Sequence, residues 1–162
     1  MLYKIKDKLR YLLLVFFVFI FSHSSGQINP VKFNEDSLVS FARQYVGTPY
    51  KWGGSSEKGF DCSGFVSFVF RHFGITTSHG ARDYYHLGTK ISIDSCKKGD
   101  IILFTGTNFS RKSVGHVGII ISNPGEPVTF IHSSSSKNHR GVTITNYSES
   151  AYPKRFMGIR RL

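Results

Sequence analysis

Acidic residues are scarce in this sequence: ten Asp and Glu stand against 21 Lys and Arg, a formal charge of +11. That imbalance favours anionic surroundings, such as nucleic acid, anionic lipid or a carboxylate-rich polymer, without choosing among them. Cysteine is nearly missing as well, since Cys62 and Cys96 stand alone, and at most one disulfide is available. No internal repeat is present, and the serine run at 133–137 is too short to count as low complexity. Nor does any apolar run reach the roughly 20 residues that a membrane-spanning helix needs. What the chain has in quantity is core material. Hydrophobic residues make up 40% of it, with 15 Phe and 8 Tyr, over a length of 162 residues. One folded domain is the expectation, and nothing marks the chain as disordered.

The N-terminus narrows the partners. Lys4, Lys6, Lys8 and Arg10 precede the unbroken apolar run YLLLVFFVFIF at 11–21, and SHSSGQ follows. A basic segment, a short apolar core and then small residues form the layout of a secretory signal peptide, with cleavage expected before Gln27. Retention as an uncleaved anchor is the alternative, and the missing cysteine after the apolar run argues against a lipid-modified N-terminus. Loss of residues 1–26 would remove the four basic residues and Asp7 and leave a charge of +8. An exported protein meets little nucleic acid, so a wall polymer becomes the better anionic partner. Stable membrane insertion is not expected once the segment is removed.

Beyond a short segment at 27–35, the patterns give helices first and strands afterwards. Asn34-Glu35-Asp36 offers a cap and an acidic first turn, after which Leu38, Val39, Phe41, Ala42, Tyr45 and Val46 recur at helical spacing up to Gly47. Residues 50–61 are glycine-rich and irregular. A second helix is predicted to begin near Cys62, with Phe65, Val66, Val69, Phe70 and Phe73 on one face and Gly74 closing it. A polar stretch from 76 to 98 leads to strand-like runs at 101–105, 116–122, 128–133, 142–147 and 156–162. Helices followed by consecutive strands imply an α+β domain: N-terminal helices packed on an antiparallel sheet of about five strands.

Within this frame Cys62 has the setting of a nucleophile. A free thiol is only about 3% ionised at pH 7, and the start of a helix favours the thiolate through its unpaired N–H groups and dipole. A histidine partner could supply the rest, and a thiol pKa lowered to about 6 would make roughly 90% of the thiol reactive at pH 7. Cys96, in DSCKKGD, has no such setting and reads as packing, although a Cys62–Cys96 disulfide is the alternative in an oxidising compartment. Seven histidines are present. His72, His79, His86 and His139 carry no companion signal and read as solvated or structural. His116 and His132 each stand at the edge of an apolar strand, and neighbouring antiparallel strands could bring them side by side.

The blocks PYKWGGSSEKGFDCSGF, GDIILF, GHVGIII and FIHSS, in that order, resemble the NlpC-type (NlpC/p60) family of cell-wall cysteine peptidases, a reduced papain-like fold, over about residues 36–162. The resemblance implies Cys62 as nucleophile, His116 as general base and His132 as the residue that orients it. It also implies Tyr50, Asp61, Ser63 and, by looser alignment, Arg82 as substrate-binding residues. Asp61 reads equally as a helix cap, and Tyr50 and Trp52 equally as core aromatics. The implied substrate is the stem or cross-link peptide of peptidoglycan, and the implied protein is a monomer without metal or other cofactor. The stretch TGTNFSRKS before His116 is read as one wall of the cleft. Three other readings stay open: a zinc site built from Cys62, His116 and His132, an amidase or acyltransferase acting on lipid or another amide, and a wall-binding module without turnover.

Overall fold

The computed structural model describes residues 34–107 and 112–162. The expected signal peptide at 1–26, most of the segment at 27–35, and residues 108–111 of the stretch before His116 lie outside the described residues. Helix α1, Glu35–Arg43, starts as its sequence predicts: Asn34 accepts a hydrogen bond from the Ser37 N–H at 3.1 Å, and Glu35 and Asp36 occupy the positive end of the dipole. Both carboxylates also reach across the chain, Glu35 to Lys97 and Asp36 to Lys98. The helix therefore starts against the loop that leads into the sheet.

The glycine-rich segment folds back on itself in a two-strand hairpin, β1 (Ser55–Ser56) and β2 (Gly59–Phe60). Helix α2, Cys62–His72, follows directly, capped by Asp61, and buries Phe65, Val66, Val69 and Phe70. The stretch from 76 to 98 is more structured than its polarity suggests. It holds a 3₁₀ turn at Asp83–His86 with Tyr84 fully buried, the short strand β3 (Thr89–Ile91) and a second 3₁₀ turn at Ile93–Ser95.

Five longer strands follow: β4 (Ile101–Thr105), β5 (Val114–Ile120), β6 (Thr129–Ser134), β7 (Gly141–Asn146) and β8 (Phe156–Arg161). With β3 they form one antiparallel sheet of six strands in the order β3-β8-β4-β5-β6-β7. The sheet thus has one strand more than expected, the three-residue edge strand β3. Among the described residues, no helix is long and apolar enough to cross a membrane.

Strand β4 shows why the central runs are continuously apolar. Ile101 and Leu103 join the core under the two helices, with Val117, Ile119 and Ile131. Ile102 and Phe104 join a second core on the other face, with Ile120, Phe130, Ile159 and Cys96. A strand buried on both faces has no polar alternation to display. At its entry, Asp100 is 1% exposed and takes two 2.8 Å hydrogen bonds from the Arg161 guanidinium, so the two ends of neighbouring strands β4 and β8 are clamped together. At its exit, the pairing of β4 shifts register against both neighbours around Phe104. Such irregularities bend a strand and re-aim the side chains near its end, and Phe104 is the partner of His116.

Candidate active site

A cleft of about 460 Å³ opens where the glycine-rich segment, the start of α2 and the near ends of β4 and β5 meet. Its lining includes Tyr50, Asp61, Cys62, Ser63, Arg82 and His116, six of the seven residues singled out in the sequence. His132 stands behind His116. Cys62 is the first residue of α2, and the backbone N–H groups of Val117, Ser63 and Cys62 itself approach its sulfur. Val117 follows His116 in β5, so the thiol lies against the backbone that carries the imidazole.

Close backbone packing holds this helix start in place. A Cβ at Gly64 would fall 2.0 Å from the Gly54 carbonyl oxygen. Asp61 adds polar ties: Oδ1 accepts from the Gly64 N–H at 2.7 Å and the Ser63 hydroxyl at 3.1 Å, and Oδ2 accepts from the Gly53 N–H at 3.0 Å. His79 Nε2 lies 3.3 Å from Oδ1, and the Ser63 hydroxyl is also 2.8 Å from the His79 carbonyl. Asp61 is therefore the cap and, at the same time, a joint between three segments.

The two histidines meet as the strand patterns suggest. His116 Nε2 is 2.9 Å from His132 Nδ1, and His132 Nε2 is 3.0 Å from the Thr145 hydroxyl on β7. Two proton arrangements satisfy this chain. In one, His116 Nε2–H donates to His132, His132 Nε2–H donates to Thr145, and His116 Nδ1 keeps a lone pair. In the other, every donor is reversed and Nδ1 carries the proton. Only the first leaves His116 able to accept a proton from a thiol. Tyr152, from the 3₁₀ turn Tyr152–Arg155, stacks on His116 with ring centres 5.6 Å apart and places its hydroxyl 3.4 Å from Nε2.

The electrostatics correct one expectation. Burial pushes the Cys62 thiol above its ordinary range, the Asp61 carboxylate adds to the rise, and the three nearby N–H groups only partly offset them. Burial likewise holds His116 well below the usual imidazole range, helped by His132 and the Arg155 guanidinium. His132 is driven down to about 3 by burial and Arg155. The helix start does favour the thiolate, as anticipated, but desolvation is the larger effect. At neutral pH the resting pair is a neutral thiol beside a neutral imidazole. Burial also raises the Tyr50 phenol, with the Cys62 and Asp61 charges adding to it against Arg140, so its hydroxyl stays protonated on a residue that lines the cleft.

Trp52 is 87% exposed at the cleft mouth, which removes it from the core, and Tyr50 is a half-buried wall under the Arg140 guanidinium. Both thiols are free, with Cys62 against the helix-side core and Cys96 in the core of the opposite face. Among the described residues, no group of three or more His, Cys, Asp or Glu is placed to hold a metal ion. Sequence reasoning missed His79, Thr145, Tyr152 and Arg155. The first reads from sequence only as solvated or structural, and its tie to Asp61 is the structural case, while the others sit in short connections or an ordinary alternating strand, where no pattern separates them from their neighbours.

Comparison with known proteins points to one family. The sequence model of the NlpC/P60 family matches residues 47–161. The probable endopeptidase NlpC homolog of Haemophilus influenzae is 33% identical over 129 residues, covering 79% of this chain and 63% of the relative. The murein DD-endopeptidase MepS/murein LD-carboxypeptidase of Escherichia coli is 36% identical over 133 residues, covering 80% and 65%. The probable peptidoglycan endopeptidase LytE of Bacillus subtilis is 37% identical over 131 residues, covering 79% of this chain but 34% of the relative. This chain therefore matches between a third and two thirds of their lengths. Among solved structures, an NlpC/P60 family protein from Bacillus cereus superposes with a TM-score of 0.70 at 31% identity, over 79% of this chain and 40% of that one. RipD of Mycobacterium tuberculosis, described as a non-catalytic NlpC/p60 domain protein adapted to peptidoglycan binding, shares the fold at a TM-score of 0.62 and 15% identity, over 81% and 99%.

Proposed function

Because the chain belongs to the NlpC/P60 family, we propose that it is an exported cysteine endopeptidase that hydrolyses amide bonds in peptidoglycan stem or cross-link peptides, such as D-Glu–diaminopimelate or D-Ala–diaminopimelate. One observation carries the reading: a thiol at a helix start shares a cleft with an imidazole whose far nitrogen is tied to a second, buried imidazole. LytE is named as a probable peptidoglycan endopeptidase and MepS as both a murein DD-endopeptidase and a murein LD-carboxypeptidase, so the relatives support the polymer more than the bond.

With both groups neutral at rest, the thiol proton passes to His116 Nδ1 as Cys62 Sγ attacks the amide carbonyl. The oxyanion that forms is held by the N–H groups at Cys62 or Ser63 and by the Tyr50 hydroxyl. The imidazolium then gives its proton to the leaving nitrogen, the C–N bond breaks and a thioester remains. Water, deprotonated by His116, attacks the thioester and releases the acid and the thiol. His132 accepts the Nε2–H bond throughout and so fixes the tautomer that makes the first transfer possible. No cofactor takes part.

The test is digestion of purified muropeptides by residues 27–162, read by mass spectrometry. New fragments that define one cleaved bond are expected from the wild type, with or without a chelator, and none from Cys62→Ala. Binding to insoluble wall without any turnover would assign the chain to the wall-binding class instead. Activity lost to the chelator would revive the zinc reading.

A further inference from the structure

We propose that Arg155 selects substrates whose leaving amine carries a carboxylate. The inference rests on the peptidase reading above and adds to it a chemical requirement on one half of the substrate.

Asp61, Arg82 and Arg155 are the formally charged side chains in the cleft lining, and of these Asp61 and Arg155 act on different members of the candidate triad. Asp61 belongs to the wall formed by Tyr50 and Ser63, and its field falls on Cys62 and Tyr50. Arg155 belongs to the wall formed by Gly106, Thr107 and residues 113–116, and its field falls on His116, His132 and Tyr152. In an acyl transfer the carbonyl half of the substrate ends on sulfur, and the amine half takes its proton from the imidazole. The His116 side is therefore the side of the leaving amine, and a guanidinium stands there.

That guanidinium is held in place. Its Nε and Nη2 donate to the Thr105 carbonyl at 3.2 and 2.7 Å, and its carbon sits 5.0 Å from the centre of the Tyr152 ring. Thr105 ends β4 at the irregular pairing that re-aims this end of the sheet. A cation fixed beside a general base works against the chemistry, because it opposes the imidazolium that must form. A substrate carboxylate paired with Arg155 offsets that field and leaves His116 more basic while the correct substrate is bound. A forked guanidinium also suits a planar carboxylate better than an ammonium would. Cross-link peptides offer such a group, since the diaminopimelate amine released from a D-Ala–diaminopimelate bond sits next to a free carboxylate, and a stem that ends at diaminopimelate offers one at a D-Glu–diaminopimelate bond as well.

Two synthetic stem peptides test this, identical except that the leaving diaminopimelate bears carboxylates in one and carboxamides in the other. For the wild type, kcat/KM is expected to be about tenfold or more higher on the carboxylate, about 1.4 kcal/mol. The acid limb of its kcat profile should lie at higher pH for the carboxylate than for the carboxamide. Arg155→Gln should bring the ratio close to one and make the two acid limbs coincide, and Arg155→Lys should keep part of the preference. Lys154→Gln, an exposed neighbour with the same change of charge, should keep the whole ratio. A wild-type ratio near one, or a ratio unchanged in Arg155→Gln, would overturn the role of Arg155 while leaving the peptidase reading intact. If Arg155→Gln does not fold, the wild-type ratio and Arg155→Lys still decide. No wild-type turnover of either peptide would overturn the peptidase reading, and this inference with it.

Discussion

Thr145, His132 and His116 are joined by single hydrogen bonds, so each link has one replaceable acceptor. His116 itself exchanges protons on the proposed mechanism, and His116→Ala should be nearly as damaging as loss of the thiol. Toward His116, His132 only accepts. His132→Ala is expected to lower kcat by about 100-fold or more, whereas His132→Asn or His132→Asp, which can still accept from Nε2–H, should retain measurably more. Steady-state kinetics on one soluble muropeptide decide this order. An active His116→Ala beside a dead His132→Ala would place the base on the wrong strand. Equal activity in wild type and all three His132 variants would reduce the triad to a dyad.

At the scale of elements, the two histidines meet because β5 and β6 approach closely between them. Gly118 makes that possible: a Cβ there would fall 2.8 Å from Phe130 Cδ2, 3.0 Å from the Ile131 carbonyl oxygen and 3.1 Å from His132 Cβ. Gly118→Ala should therefore cost about 1–3 kcal/mol of stability and displace His132 from its partner. Thermal unfolding and activity, measured where both proteins are folded, should show activity falling more than stability explains. An unchanged melting temperature would contradict the packing argument. The elements that carry this pair were legible in the sequence. The start of α2 at Cys62, strand β4 at its full length and the other four long strands within two residues at each end all followed from apolar period and turn residues. The pieces that escaped are short or polar. β1, β2 and β3 are two or three residues long, below the length at which a period can be seen, and Tyr84 is a core residue inside a polar run. Arg155 reaches the cleft only because β8 lies beside β4, an adjacency that the order of residues does not express.

For the whole molecule, two imidazoles kept neutral by burial make stability depend on acid. Both have folded pKa values below the ordinary imidazole value of 6.5, and His132 lies near 3. Between these limits the unfolded chain binds more protons than the native one, so stability is fully present above about pH 6.5 and declines as pH falls toward 3. Each group contributes a slope of up to about 1.4 kcal/mol per pH unit. Denaturant unfolding of Cys62→Ala at pH 7, 6, 5 and 4 should show midpoints falling steadily, with a shallower fall when both histidines are replaced by Gln. A midpoint flat from pH 7 to 4 would contradict the burial of two neutral rings. The place of β8 carries a different consequence. The strand of this sheet that comes last in chain order is inserted between β3 and β4, and the turn that packs Tyr152 on His116 comes just before it. The thiol comes early in chain order, but the six-strand sheet is incomplete without residues 156–161. A product truncated before them lacks the strand that joins β3 to β4, so a partial chain carries the thiol without the complete sheet that holds its imidazole.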